Sequence, residues 1–186
     1  AGYVLNGHKA VVLHGESADK LVVSARTAGG SRDAQGISLF LVDSNTAGVR
    51  TQGYRTIDGM RAAEIKLANV KVGAESVLGQ VDEALPVLER AADFAVSALC
   101  AEALGAMEAL NAATFDYLKT RQQFGRPIGS FQALQHRAVD MMIHCEQSRS
   151  MVYLAAVKVQ SQDANERKRT VSAAKIQIGR SGRFIS

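Results

Sequence analysis

Near residue 80 the apolar pattern changes period, and that change constrains the fold more than any other feature of the chain. From residue 3 to about 80, short apolar runs are cut by turn residues, which is the pattern of antiparallel strands. Beyond Gly79, apolar residues recur every three or four positions, as on one face of a helix. The expected class is α+β. An antiparallel β-barrel or sandwich domain over residues 1–80 precedes an up-down bundle of three long helices over residues 81–186, an incomplete four-helix bundle.

In the first part, residues 3–5 and 8–13 read as a hairpin across Asn6-Gly7, because a two-residue turn wants positive φ at both positions. Strands are expected at 21–26 and 37–42 on either side of a polar, Gly-rich loop, and again at 49–54 and 63–72. The first helix is expected over 81–120, with Leu85, Leu88, Ala92, Ala95, Leu99, Ala103, Met107 and Leu110 inward. Gly105 costs this helix about 1 kcal/mol against alanine, a cost that suits a site where another backbone packs closely. The second helix, over 130–162, buries Leu134, Ala138, Met141, Cys145, Val152 and Ala156. Asp163 and Glu166 form a capping-box-like start for the third, whose inner face carries Val171, Ala174, Ile178, Gly182 and Ile185. Three such helices leave one face for a fourth helix or another subunit.

The 186 residues suffice for a sizeable core. The net charge of +4 comes from mixed signs, and with aromatics at only 5% no basic stripe is interleaved with rings, so nucleic acid is not an expected partner. No apolar run in the sequence is long enough for a membrane span, and a secretory leader is not expected. Cys100 and Cys145 lie in apolar helical surroundings and read as packed thiols, so a reducing cytoplasm is the expected location. His136 and His144 are eight residues apart, which is not a chelating interval, and no metal site is expected. Phosphate-cradling glycine motifs and hydrolase nucleophile motifs are missing from the sequence. Because it opens in a strand pattern and closes in a helical one, the chain is expected to be an interior piece of a longer protein.

Residues 121–136, RQQFGRPIGSFQALQH, place a cation, an aromatic ring and amides around a helix break. Gly125, Pro127 and Gly129 make the turn, and Ser130 is positioned to cap the following helix. A guanidinium suits a pyrophosphate and a ring suits a flat heterocycle, so the corner is a candidate site for a phosphate-bearing aromatic cofactor.

The motif from Arg121 to Gln132, with Leu134-Gln135-His136-Arg137 and Asp140-Met141 after it, resembles the carboxy-terminal helical domain of flavin-dependent acyl-CoA dehydrogenases. Asn6 to Lys9, Ala18-Asp19 before Leu21 to Val23, Gly36 to Val42 and Val70 to Gly79 agree with that family in order and spacing. The resemblance implies that Arg121, Gln123, Phe124 and Gln132, flanked by Ile128 and Phe131, contact the FAD of a neighbouring subunit. It implies that Asp93 touches the acyl-CoA substrate, although the Arg often found three residues later is Val96 here. A second departure is Lys9-Ala10-Val11-Val12-Leu13, where many members carry Trp and Thr against the flavin ring. The implied activity is α,β-desaturation of an acyl-CoA thioester in fatty acid metabolism, with electrons passed to an electron-transferring flavoprotein, by a homodimer or homotetramer. The catalytic Glu of the family is expected outside these residues, so none here is assigned as catalytic. A non-catalytic subunit of a heteromeric dehydrogenase and a sister flavoenzyme, an acyl-CoA oxidase or flavin monooxygenase, are the alternatives.

Overall fold

A computed structural model of the chain describes residues 2–186, which form two compact units, the first running to Leu88 and the second from Glu89. The first unit contains β1 (Gly2–Leu13), β2 (Lys20–Arg26), β3 (Ile37–Asp43), β4 (Val49–Arg55), β5 (Arg61–Gly73) and the short β6 (Val77–Leu78). They form two antiparallel sheets, ordered β1-β5-β4 and β2-β3-β6. Leu5, Ile65, Leu67 and Val70 of one sheet and Leu21, Val23, Phe40 and Val42 of the other share a single core. Tyr3 meets Phe40 edge-on, with ring centroids 5.0 Å apart. Among the described residues no backbone ladder joins β1 to β2, so the unit is a sandwich and not a closed barrel.

The expected hairpin at Asn6-Gly7 is not formed: residues 2–13 run as one strand along β5. The register shifts between Leu5 and Gly7, and the Asn6 side chain accepts a hydrogen bond from the Asn69 amide at 2.8 Å. Asn6 therefore stabilises a bulge. Gly7, at φ 159°, is far from the roughly +60° of a type I′ turn. A second register shift falls between Lys9 and Val12, where Val11 has φ 53°.

The second unit is built on α1 (Leu85–Thr120), α2 (Gln132–Lys158) and α3 (Ala164–Ile185). The first helix begins later than its periodicity implies. Asp82 adopts φ 69° and the Ala84 amide is bonded to the Ile37 carbonyl, which keeps this stretch extended. Its buried positions are Ser97, Cys100, Leu104, Met107 and Asn111, while Leu99 and Leu110 are exposed. An Ala-rich helix is apolar on two sides, so side-chain chemistry alone leaves the inward direction ambiguous. On α2, Ala155 is buried and Ala156 is exposed. On α3, Val171, Ala174, Ile178 and Ile185 are buried as expected, with Ser181 beside them. The small residues Ser148, Ala155, Ala174 and Ser181 are fully enclosed, which allows α2 and α3 a close approach. Nothing lies within 4 Å of a methyl group built on Gly105, so no backbone packs there. Asp163 caps α3 as expected, accepting from the Asn165 and Glu166 amides at 2.8 and 3.3 Å.

Candidate functional site

The corner between α1 and α2 is a miniature hairpin. The Arg121 amide still bonds the Tyr117 carbonyl of α1 at 2.9 Å, and its own carbonyl accepts from the Ile128 amide at 2.8 Å. Between those bonds, β7 (Gln122–Gln123) pairs with β8 (Arg126–Pro127). Phe124 and Gly125 make the two-residue turn with φ 54° and 74°, both in the left-handed region that a type I′ turn requires. Glycine suits that region, but a bulky ring there is strained. Gly129 is needed for a different reason, since a Cβ at that position would sit 2.8 Å from the Leu118 carbonyl oxygen.

Ser130 does not cap α2. Residues Ile128–Ser130 form a 3-10 turn in which the Ser130 hydroxyl donates to the Pro127 carbonyl at 2.7 Å, and the helix starts after Phe131 without a side-chain cap. The Gln135 amide fastens the turn instead, donating to the Gly129 carbonyl at 2.9 Å.

Arg121, Gln123, Phe124 and Gln132 are exposed, and Ile128 and Phe131 are half-buried. Phe124 is 91% exposed, and its ring meets Phe131 edge-on at 6.0 Å. Arg126, a residue not singled out from the sequence, lies over the other ring with its guanidinium carbon 4.2 Å from the Phe131 centroid. Its signal was available as a second cation beside Pro127 within the same motif. Among the described residues the Arg121 guanidinium makes no ion pair, and the Gln123 amide donates to the neighbouring Gln122 carbonyl at 2.8 Å. The corner thus presents a free cation, a ring and carboxamides to the outside.

Asp93 is remote from this cluster. It lies 28 residues earlier on α1, which in a helix amounts to about 40 Å. There its Oδ2 accepts from Nε of Arg167 on α3 at 2.8 Å, and Arg167 also donates through Nη1 to the Ser161 carbonyl at 3.2 Å. Arg167 is buried, with 5% of its surface exposed, and was also missed. A charged residue four positions before Val171, in register with the inner stripe, was the available sign. Val96, three residues after Asp93, packs against the helical core.

In the first unit, Val11 and Leu13 are exposed by 58% and 60% on the bulged end of β1. A cavity of about 550 Å³ is lined mainly by residues of β1 and β2, among them Tyr3, Lys9 and Ser24, with Thr27 just beyond β2 and Leu67 of β5. Lys9 spans from one strand to the other, donating to the Ser24 carbonyl and hydroxyl at 2.7 and 3.1 Å. Among the described residues no group of three or more His, Cys, Asp or Glu side chains could hold a metal, and no helix is long and apolar enough to cross a membrane.

Comparison with known proteins places these features in context. A family profile described as "Acyl-CoA dehydrogenase, C-terminal domain" matches residues 85–185, and one described as "Acyl-CoA dehydrogenase, middle domain" matches residues 1–70. The mitochondrial isovaleryl-CoA dehydrogenase of Solanum tuberosum is 36% identical over 167 residues, covering 88% of this chain and 40% of the relative. The solved butyryl-CoA dehydrogenase of Megasphaera elsdenii is 31% identical with a TM-score of 0.81, over 99% of this chain and 50% of that one. A solved FAD complex of PigA is 26% identical with a TM-score of 0.82, over 99% of this chain and 50% of that one. The chain therefore spans about two fifths of the length of the curated relatives it matches.

Proposed function

We propose, since the chain belongs to the acyl-CoA dehydrogenase family, that its full-length protein is an FAD-dependent dehydrogenase that introduces an α,β double bond into an acyl-CoA thioester. The observation that carries this reading is Phe124, a ring held at φ 54° and left 91% exposed at the tip of a two-residue turn. Left-handed backbone costs a residue with a Cβ roughly 1–2 kcal/mol. Strain combined with an exposed aromatic face is the arrangement expected where a ligand supplies the missing contact.

The donor set fits a dinucleotide. Arg121 would meet the pyrophosphate through a guanidinium that has no competing carboxylate. Phe124 and Ile128 would meet a flat heterocycle, edged by Phe131, while Gln123 and Gln132 would hydrogen-bond polar groups along the cofactor. When bound, FAD supplies the hydride acceptor. The tasks of this chain are then to grip, orient and exclude water, while the base that takes the α-proton comes from outside these residues. Asp93 offers the acyl-CoA a hydrogen-bond acceptor at the other end of α1. With about 40 Å between the two subsites, they belong to different active centres, as in a homodimer or homotetramer whose protomers share their sites. Electrons leave for an electron-transferring flavoprotein. The setting is lipid metabolism, and a reducing cytoplasm accords with the two buried free thiols.

The test is to purify the full-length protein and add butyryl-CoA without oxygen. Co-purified flavin that bleaches supports the reading, and protein that neither carries nor takes up flavin overturns it. A second reading, a non-catalytic subunit that retains half of a shared site, is favoured by Val11, Leu13 and Val96. Flavin that binds but is never bleached would select it.

A further inference from the structure

The Asp93–Arg167 pair has a geometry that a purely structural ion pair does not need. Arg–carboxylate pairs favour two parallel hydrogen bonds, which use both oxygens of the acid. Here the guanidinium is split: Nε holds Oδ2 of Asp93 at 2.8 Å, and Nη1 is committed to the Ser161 carbonyl at 3.2 Å. Among the described residues no side-chain or backbone donor is hydrogen-bonded to Oδ1. The Asp93 side chain is 15% exposed and that of Arg167 only 6%, so the acid is the more open of the two to solvent. One turn earlier, Glu89 already ties α1 to α3 through Lys168 at 2.7 Å.

We infer that Arg167 is a positioning residue for Asp93. By fixing Oδ2 and neutralising the charge, it presents Oδ1 as an acceptor for an amide N–H of the acyl-CoA thioester. Neutralisation matters because coenzyme A is a polyanion, which a bare carboxylate would repel. The guanidinium arrives from α3 because the position one turn beyond Asp93, Val96, faces the apolar core. This inference rests on the reading of Asp93 as a substrate contact.

The experiment uses the full-length protein and its affinity for butyryl-CoA, read by titration calorimetry, for D93N, R167M, R167K and the D93N/R167M pair. A hydrogen bond to a charged group corresponds to about tenfold in binding, so D93N and R167M should each weaken affinity by about that factor. The double variant should be no weaker than the poorer single one, and R167K, which keeps the charge but loses the fork, should fall between wild type and R167M. Unchanged affinity in D93N would overturn the substrate reading of Asp93 and this inference with it. Weakened D93N beside unchanged R167M would overturn the role of Arg167 alone, leaving it a tie between helices that shows only as a lower melting temperature. Should R167M fail to fold, R167K decides: weaker binding supports the positioning role and wild-type binding contradicts it.

Discussion

Phe124 and Phe131 meet edge-on across the corner between the first two helices, with ring centroids 6.0 Å apart and planes at 85°. One ring is strained and exposed, and the other is half-buried beneath the Arg126 guanidinium. The pair forms a small aromatic step at the surface, anchored on one side only.

If Phe124 is kept for ligand contact at the expense of backbone comfort, F124N should separate stability from function. Asn tolerates left-handed backbone and Asn-Gly is a preferred type I′ pair. The variant should be at least as stable as wild type by urea unfolding, with any gain at most about 1 kcal/mol. It should nevertheless lose flavin on gel filtration. A variant that is less stable and keeps its flavin would reverse the assignment.

Gly105 lies inside α1 with open space where its Cβ would be. G105A should therefore raise unfolding free energy by about 1 kcal/mol, through helix propensity and a less flexible unfolded chain. A loss of stability would show that a close neighbour does occupy that side.

Asp163 caps α3 with its carboxylate on the Asn165 and Glu166 amides. D163A should cost about 1 kcal/mol, while D163N, which keeps an acceptor, should cost much less. Equal losses in the two variants would show that charge rather than capping matters there.

Glu166 gives the chain an acid-sensitive contact. The Lys158 ammonium, and after it the Ser161 hydroxyl, hold its carboxyl below the ordinary value of 4.5. A carboxyl that is more acidic folded than unfolded contributes fully above its unfolded value and loses that contribution as pH falls through its folded value. The melting temperature should fall below about pH 4.5, and E166Q should flatten part of that slope while leaving the remainder to the other carboxylates. An identical slope in E166Q would remove Glu166 from the account.

The architecture was largely legible in the sequence because two periods, one of strands and one of helices, occupy separate halves. Strands near 21–26, 37–42, 49–54 and 63–72 and the inner face of α3 were readable for that reason. Asn6-Gly7 misled because the same residues that make a type I′ turn can also stabilise a bulge, and the choice depends on Asn69, 63 residues away. Ser130 misled in a similar way, since its hydroxyl found the Pro127 carbonyl before it could cap a helix. The inward side of α1 was hidden by its alanines. At the corner, residue types were readable, but the left-handed Phe124 and the stacking of Arg126 on Phe131 were not, because both depend on the turn geometry. Arg167 went unseen because pairing across 74 residues leaves no local signature.

The central claim is that the α1–α2 corner grips a flavin dinucleotide, and flavin retention in the full-length R121A variant tests it most directly. Removing an unopposed guanidinium from a phosphate should weaken binding by about tenfold or more. The account predicts normal folding by circular dichroism with flavin absorbance largely lost after gel filtration and restored by R121K only in part. Wild-type flavin content in R121A would contradict it.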